Sequence, residues 1–103
     1  MKVRLTVAAQ AELVEAFEWY ENRRVGLGKR FLSEIESGRN QIEAMPNAWH
    51  HLERGARRHR LDTFPYGLIY VIEPDDDAIM IVSVVHLRRR ASHWRARLAA
   101  FRK

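Results

Sequence analysis

The chain contains no cysteine, which rules out a disulfide framework and any thiolate metal site. A small secreted protein would usually need such a staple, so a reducing cytoplasm is expected. No apolar run is long enough to cross a bilayer. The opening Met1-Lys2-Val3-Arg4 is broken by charge before a signal-peptide core can form, so neither export nor membrane insertion is expected. With three prolines and five glycines, and no repeat or low-complexity stretch, no linker divides the sequence. One domain over residues 1–103 is therefore expected. The glycine pair in Gly26-Leu27-Gly28 lacks a third glycine and follows a helical pattern where a nucleotide-binding loop would need a strand. His50-His51 lacks both the helical spacing and the extra ligands of a zinc site. No cofactor and no metal are expected.

What the chain has is basic charge, unevenly distributed. Residues 1–53 carry seven Lys/Arg against eight Asp/Glu, and residues 54–103 carry eleven against five, giving net charges of −1 and +6. Such a half attracts phosphate or an acidic protein surface.

Periodicity supplies the elements. Val3, Leu5 and Val7 alternate with Lys2, Arg4 and Thr6 as in a half-buried strand. Over residues 8–24, Ala9, Leu13, Ala16, Phe17 and Tyr20 form one helical stripe, with Trp19 at its margin and Glu12, Glu15, Glu18 and Glu21 on the other side. The glycine pair suits a left-handed cap and a reversal. A second helix from Lys29 to Met45 has the stripe Phe31, Ile35, Gly38, Ile42 and Met45, with Leu32 beside it. Gly38 on this inward face implies the close approach of another backbone, because a mid-helix glycine costs ~1 kcal/mol relative to alanine. Pro46 ends the helix, and Asn47 to Gly55 is read as loop. Arg57–Phe64, Leu68–Glu73 and Ala78–His86 then form a three-stranded antiparallel meander, the last two joined by Pro74-Asp75-Asp76-Asp77. The expected fold is α+β, β-α-α-β-β-β, with a helical hairpin packed on an antiparallel sheet. In the last two strands Leu68, Tyr70 and Ile72 oppose Ile69 and Val71, while Met80, Val82 and Val84 oppose Ile79, Ile81 and Val85, so both faces are apolar. The second face needs a C-terminal helix, a second copy or a partner. Ser92 is positioned to cap a short helix of Trp94, Leu98 and Phe101 with Arg95, Arg97, Arg102 and Lys103 on its polar side.

Two basic groups are candidates for chemistry. Arg57, Arg58, His59 and Arg60 lie on the strand after the hairpin, and His86, Arg88, Arg89, Arg90 and His93 follow the last strand. Converging guanidiniums bind phosphates or an acidic protein; the same residues also serve as charges that keep a sheet edge from aggregating. His86 beside arginines is the group that would take a proton from a ribose 2′-hydroxyl while arginine steadies the phosphorane.

The ordered set Ala11-Glu12-Leu13, Trp19-Tyr20-Glu21, Gly26-Leu27-Gly28, Phe31 with Glu34-Ile35, Arg57-Arg58, Phe64-Pro65-Tyr66, Tyr70, Val84 with His86, Arg88-Arg89 and Trp94 with Arg97 resembles the RelE/ParE toxins over nearly the whole chain. The resemblance implies the toxin of a type II toxin–antitoxin system, associated with growth inhibition and plasmid stabilisation. It also implies a cognate antitoxin in a hetero-oligomer, contacting the apolar sheet at Leu68, Tyr70, Met80 and Val82. Ribonucleases similar to RelE place an arginine after the tyrosine that begins the third strand, where Tyr66 is followed by Gly67. They also use basic or aromatic groups near the C-terminal end, where this chain has Leu87 and His93. The chain is accordingly closer to the ParE branch, which implies inhibition of DNA gyrase by binding through Arg57, Arg58, Arg60, His86, Arg88 and Arg89. The alternatives are a ribosome-dependent mRNA endoribonuclease using His86, Arg58 and Arg89, or a degenerate toxin with little activity.

Overall fold

A computed structural model describes all residues, 1–103. The elements are β1 (Lys2–Leu5), α1 (Val7–Arg23), α2 (Leu27–Ala44), β2 (His50–His51), β3 (Arg57–Arg60), β4 (Tyr66–Glu73), a 3-10 turn at Pro74–Asp76, β5 (Ala78–His86) and α3 (Ala91–Phe101). They build one five-stranded sheet in the order β1-β5-β4-β3-β2. The α+β class and the order of helices and strands agree with the sequence pattern. The sheet differs in being mixed: β1 runs parallel to β5, and His50–His51, expected as loop, pairs antiparallel with Arg57–Arg58. No helix is long and apolar enough to cross a membrane.

The first strand is shorter than its alternation suggests: Val7, expected on the buried side of that strand, instead opens α1 and is 90% exposed. Thr6 caps α1, its hydroxyl accepting the Ala9 N–H at 3.1 Å. Gly26 takes φ 91° at the reversal, a conformation that side chains disfavour. Glu21 fastens this turn by accepting the Gly26 and Gly28 N–H groups, each at 2.9 Å. Those donors, Gly26 first, hold its carboxyl below the ordinary glutamate range.

The hairpin packs on the upper face of the sheet, burying Ala9, Ala16, Tyr20, Phe31, Ile35 and Ile42 against Val3, Leu68, Tyr70, Ile79, Ile81 and Val84. Met45 does not belong to the buried stripe: it caps the end of α2 and is 61% exposed. Gly38 is buried as expected, but it is side chains that approach it. A Cβ there would lie 3.2 Å from Leu68 Cδ1 and 3.3 Å from His59 Nδ1.

The lower face is covered by α3. Trp94 and Leu98 pack on Ala56, Ile69, Val71, Val82 and Val85, and Leu98 alone contributes roughly 1.5–3 kcal/mol by its burial. Of the covers open to the second face, the chain's own C-terminal helix takes the central part. Its cap is not Ser92, which lies inside the helix; Arg90 occupies that position and makes no side-chain capping bond.

The assignment of β5 residues to faces is corrected by a bulge. Ile69 pairs with Ser83 but the adjacent Tyr70 pairs with Ile81, leaving Val82 without a partner. An extra residue inverts the alternation beyond it. Val84 therefore joins Ile79 and Ile81 in the upper core, and Val85 joins Val82 below.

Candidate functional site: the cleft between α1 and the β5–α3 corner

β1 pairs with β5 only as far as Ile81, so the last turns of β5 run without a neighbour on that side. Glu12 reaches into this gap from α1. Its Oε1 accepts the Ser83 hydroxyl at 2.9 Å and the Val84 N–H at 3.1 Å, while Oε2 lies 2.5 Å from His93 Nε2 and 3.4 Å from Arg97 Nε. One carboxylate, 14% exposed, thus joins α1, β5 and α3. The helical pattern places Glu12 with the solvent-facing glutamates. Its position on the flank of the apolar stripe, like that of Trp19, is the signal that separates it from them.

Above this node lies a cleft of about 530 Å³ lined by Glu12, Glu15, Glu18, Trp19, Tyr66, His86, Arg89, His93 and Arg97 among others. Tyr66 and His86 pair across β4 and β5 with ring centres 5.3 Å apart. His86 Nδ1 accepts the Arg88 N–H at 3.0 Å, which leaves Nε2 to carry the proton of a neutral ring. Burial pushes the Tyr66 hydroxyl above its ordinary pKa, so it is a donor at neutral pH. The cleft therefore offers hydrogen-bond donors and guanidiniums on one wall and carboxylates on the other.

The two basic groups inferred from sequence do not converge as a whole. His59 is 4% exposed and belongs to the upper core, where Nε2 lies 2.7 Å from Gln41 Oε1 and the ring meets Trp49 edge-on at 4.4 Å. Burial lowers its pKa, the opposite of what a cationic phosphate ligand needs. Arg57 is engaged by the Trp49 carbonyl at 2.9 Å. Arg58 pairs with Ile69, on the lower face, and its stem crosses Gly67: a Cβ at Gly67 would lie 3.1 Å from Arg58 Cγ and 3.3 Å from Leu87 Cδ2. Arg60 is exposed at the end of β3, and Arg88 is exposed outside the cleft. Of the nuclease trio, His86 and Arg89 share the cleft, and Arg58 lies on the other side of the sheet.

The residues expected to meet an antitoxin are also redistributed. Leu68 and Tyr70 have no exposure because the hairpin covers them, and Val82, at 1%, lies beneath α3. Tyr70 is further tied down by its hydroxyl, which donates to the Pro46 carbonyl at 2.5 Å, and burial raises its pKa to about 12. Met80 alone of the four is partly exposed, in a groove shared with Met1, Lys2, Arg4 and Phe101.

Comparison with known proteins places this architecture. A solved chain described as the chromosomal ParDE TA system from P. aeruginosa shares the fold with a TM-score of 0.74 at 18% identity, covering 84% of this chain and 95% of that one. The chain thus shares the α+β fold of that structure. Residues 3–91 match the family described as ParE toxin of type II toxin-antitoxin system, parDE, and the chain belongs to that family. No curated protein matches it.

Proposed function

We propose that this ParE-family toxin acts in the cytoplasm by binding DNA gyrase and is neutralised by a cognate antitoxin in a hetero-oligomer. The observation that carries the binding mode is the occupation of the Gly67 site. The space above Gly67 holds the aliphatic stem of Arg58, and this arginine is separated by the sheet from His86. A phosphoryl-transfer site needs its cation and its base on one reacting phosphate, whereas a binding surface can use arginines spread over two faces for steering and contact. Arg60, Arg88 and Arg89 suit that second role, being exposed. For the antitoxin, the groove at Met80 and Phe101, lined by Lys2 and Arg4 and also by Glu73, Asp76 and Asp77, is an accessible part of the lower face, and it suits an apolar segment flanked by charges of both signs.

A second reading, the endoribonuclease, draws on one feature: His86, His93, Tyr66 and Arg89 line the same cleft, a set able to exchange protons beside a cation. Purified toxin added to gyrase supercoiling reactions and to translating ribosomes separates the two. Blocked supercoiling with intact mRNA is expected. Ribosome-dependent cleavage that is lost in His86→Ala would establish the nuclease instead, and silence in both assays would indicate a degenerate toxin.

A further inference from the structure

Four hairpin glutamates are consumed by the fold. Glu12 and Glu21 accept the backbone groups already described, Glu34 accepts the Thr63 N–H at 3.0 Å, and Glu43 lies 3.4 Å from the Val3 N–H. Glu15 and Glu18 are different. Both are exposed on α1 along one wall of the cleft, and neither takes part in an ion pair within the chain. On the opposite wall Arg89 is likewise exposed and unpaired, and so is Arg88, next to it in sequence just outside the cleft. Trp19 lines the same cleft and is 53% exposed, with the Arg23 guanidinium 4.1 Å from its ring centre. An exposed tryptophan rimmed by charge has the composition of an interface centre.

The charge order selects the occupant. A nucleic-acid strand or a uniformly acidic protein is drawn to Arg88 and Arg89 but repelled by Glu15 and Glu18; a basic surface meets the converse. What fits both walls is a surface carrying the same two signs in reverse order, and a two-fold rotation of this surface supplies one. We propose that the cleft mouth is a self-complementary interface, in which a second copy of the chain packs across Trp19 and sets its Arg88 and Arg89 against Glu15 and Glu18, and the reverse. The proposal is independent of the gyrase reading. Its consequence is that His86 and Arg89 are enclosed in the dimer, so self-association competes with anything that uses them.

Charge reversal tests this on the full chain. Sedimentation equilibrium or light scattering from 1 to 200 µM (roughly, the span over which weak dimers form) should show the wild-type mass rising from the monomer's 12.2 kDa towards twice that value. The double variants Glu15→Arg/Glu18→Arg and Arg88→Glu/Arg89→Glu should each stay monomeric, with association weakened ~10-fold or more. Mixed in equal amounts they should associate again, because every reversed wall then faces its complement. Far-UV circular dichroism checks that both variants are folded; where one is not, Trp19→Ala and a salt titration replace it, and both should weaken the dimer. A wild-type chain that is monomeric throughout, including one whose cleft is taken only by an added partner, overturns the proposal. Variants that still dimerise, or that fail to associate when mixed, overturn it as well.

Discussion

Glu12 and His93 meet at 2.5 Å across the gap left where β1 stops short of the end of β5. The same carboxylate holds Ser83, which has no exposure, and the Val84 N–H. Removing it strands two donors in the interior and frees the outer side of α3 in one step. Glu12→Ala should destabilise the chain by about 2–4 kcal/mol, since each orphaned buried group costs about 1–3 kcal/mol. Glu12→Gln, which keeps an acceptor, should cost about half as much. Urea unfolding gives both values, and hydrogen exchange should show α3 opening before the sheet. A Glu12→Ala chain with wild-type stability would show that the node holds nothing together.

Gly38 sits at a tight contact between α2 and the sheet, with Leu68 and His59 at 3.2 and 3.3 Å from where a Cβ would stand. Alanine gains ~1 kcal/mol of helix propensity and meets a contact that flexible side chains relieve by a few tenths of an ångström. Gly38→Ala should therefore lie within about 1 kcal/mol of wild type, while Gly38→Leu should cost about 3 kcal/mol through overpacking. Thermal melts of the pair make the check; equal melting temperatures for the two variants would contradict the packed crossing.

The stem of Arg58 lies over Gly67, with its Cγ 3.1 Å from where a Cβ would stand. Gly67→Ala should be close to neutral, because the neighbour is a flexible side chain. Gly67→Val should displace both Arg58 and Leu87 and cost about 1–3 kcal/mol. If Arg58 contributes to target binding from this trough, Gly67→Val should also weaken supercoiling inhibition at unchanged fold content, as read by titration of the folded variant. A Gly67→Val chain as stable as wild type would show the trough to be loosely packed.

Much of this architecture is written in periodicity. The stripes of Ala9 to Tyr20 and Phe31 to Ile42 specify the hairpin, and the doubly apolar strands demand a cover on each face, because apolar burial leaves a regular imprint. Pairing across the sheet leaves none. Nothing in Lys2–Leu5 says that it lies parallel to β5, and the bulge at Val82 moves Val84 and Val85 to opposite faces without any change in their chemistry. Of the residues lining the candidate cleft, His86 and Arg89 stand out in the sequence, whereas the carboxylate of Glu12 does not. At about 100° per residue Glu12 stands only about 40° from Ala16 on the helical wheel, close enough to turn inwards, yet three exposed-looking glutamates follow at similar spacing. His59 shows the limit from the other side: read among arginines it looks cationic, and alternation along β3 turns it into the core while Arg58 and Arg60 turn away.

The burial of His59 also sets a pH dependence. Its Nε2 faces Gln41 Oε1, its Nδ1 is buried with no partner, and the ring is closed in by Trp49, Leu68 and Gly38. Asp62 is the charged group that acts on it, favouring protonation, but burial is the larger effect and the pKa is lowered. The folded state therefore holds the neutral ring, while the unfolded chain takes up a proton near the ordinary value of ~6.5. The corresponding stability is fully present above that pH. It falls as the pH drops below it, because the unfolded state then binds a proton that the folded state refuses, and it is lost once the pH has passed through the folded pKa. Urea unfolding midpoints measured from pH 8 to pH 5 should fall for wild type more steeply than for His59→Gln, which keeps a polar partner for Gln41 and cannot titrate. Should the His59→Gln chain be too unstable to measure, the His59 ring resonances in a two-dimensional NMR titration give the folded pKa directly. Parallel pH profiles, or a His59 that titrates at or above 6.5, would place the proton on the buried ring and refute the assignment.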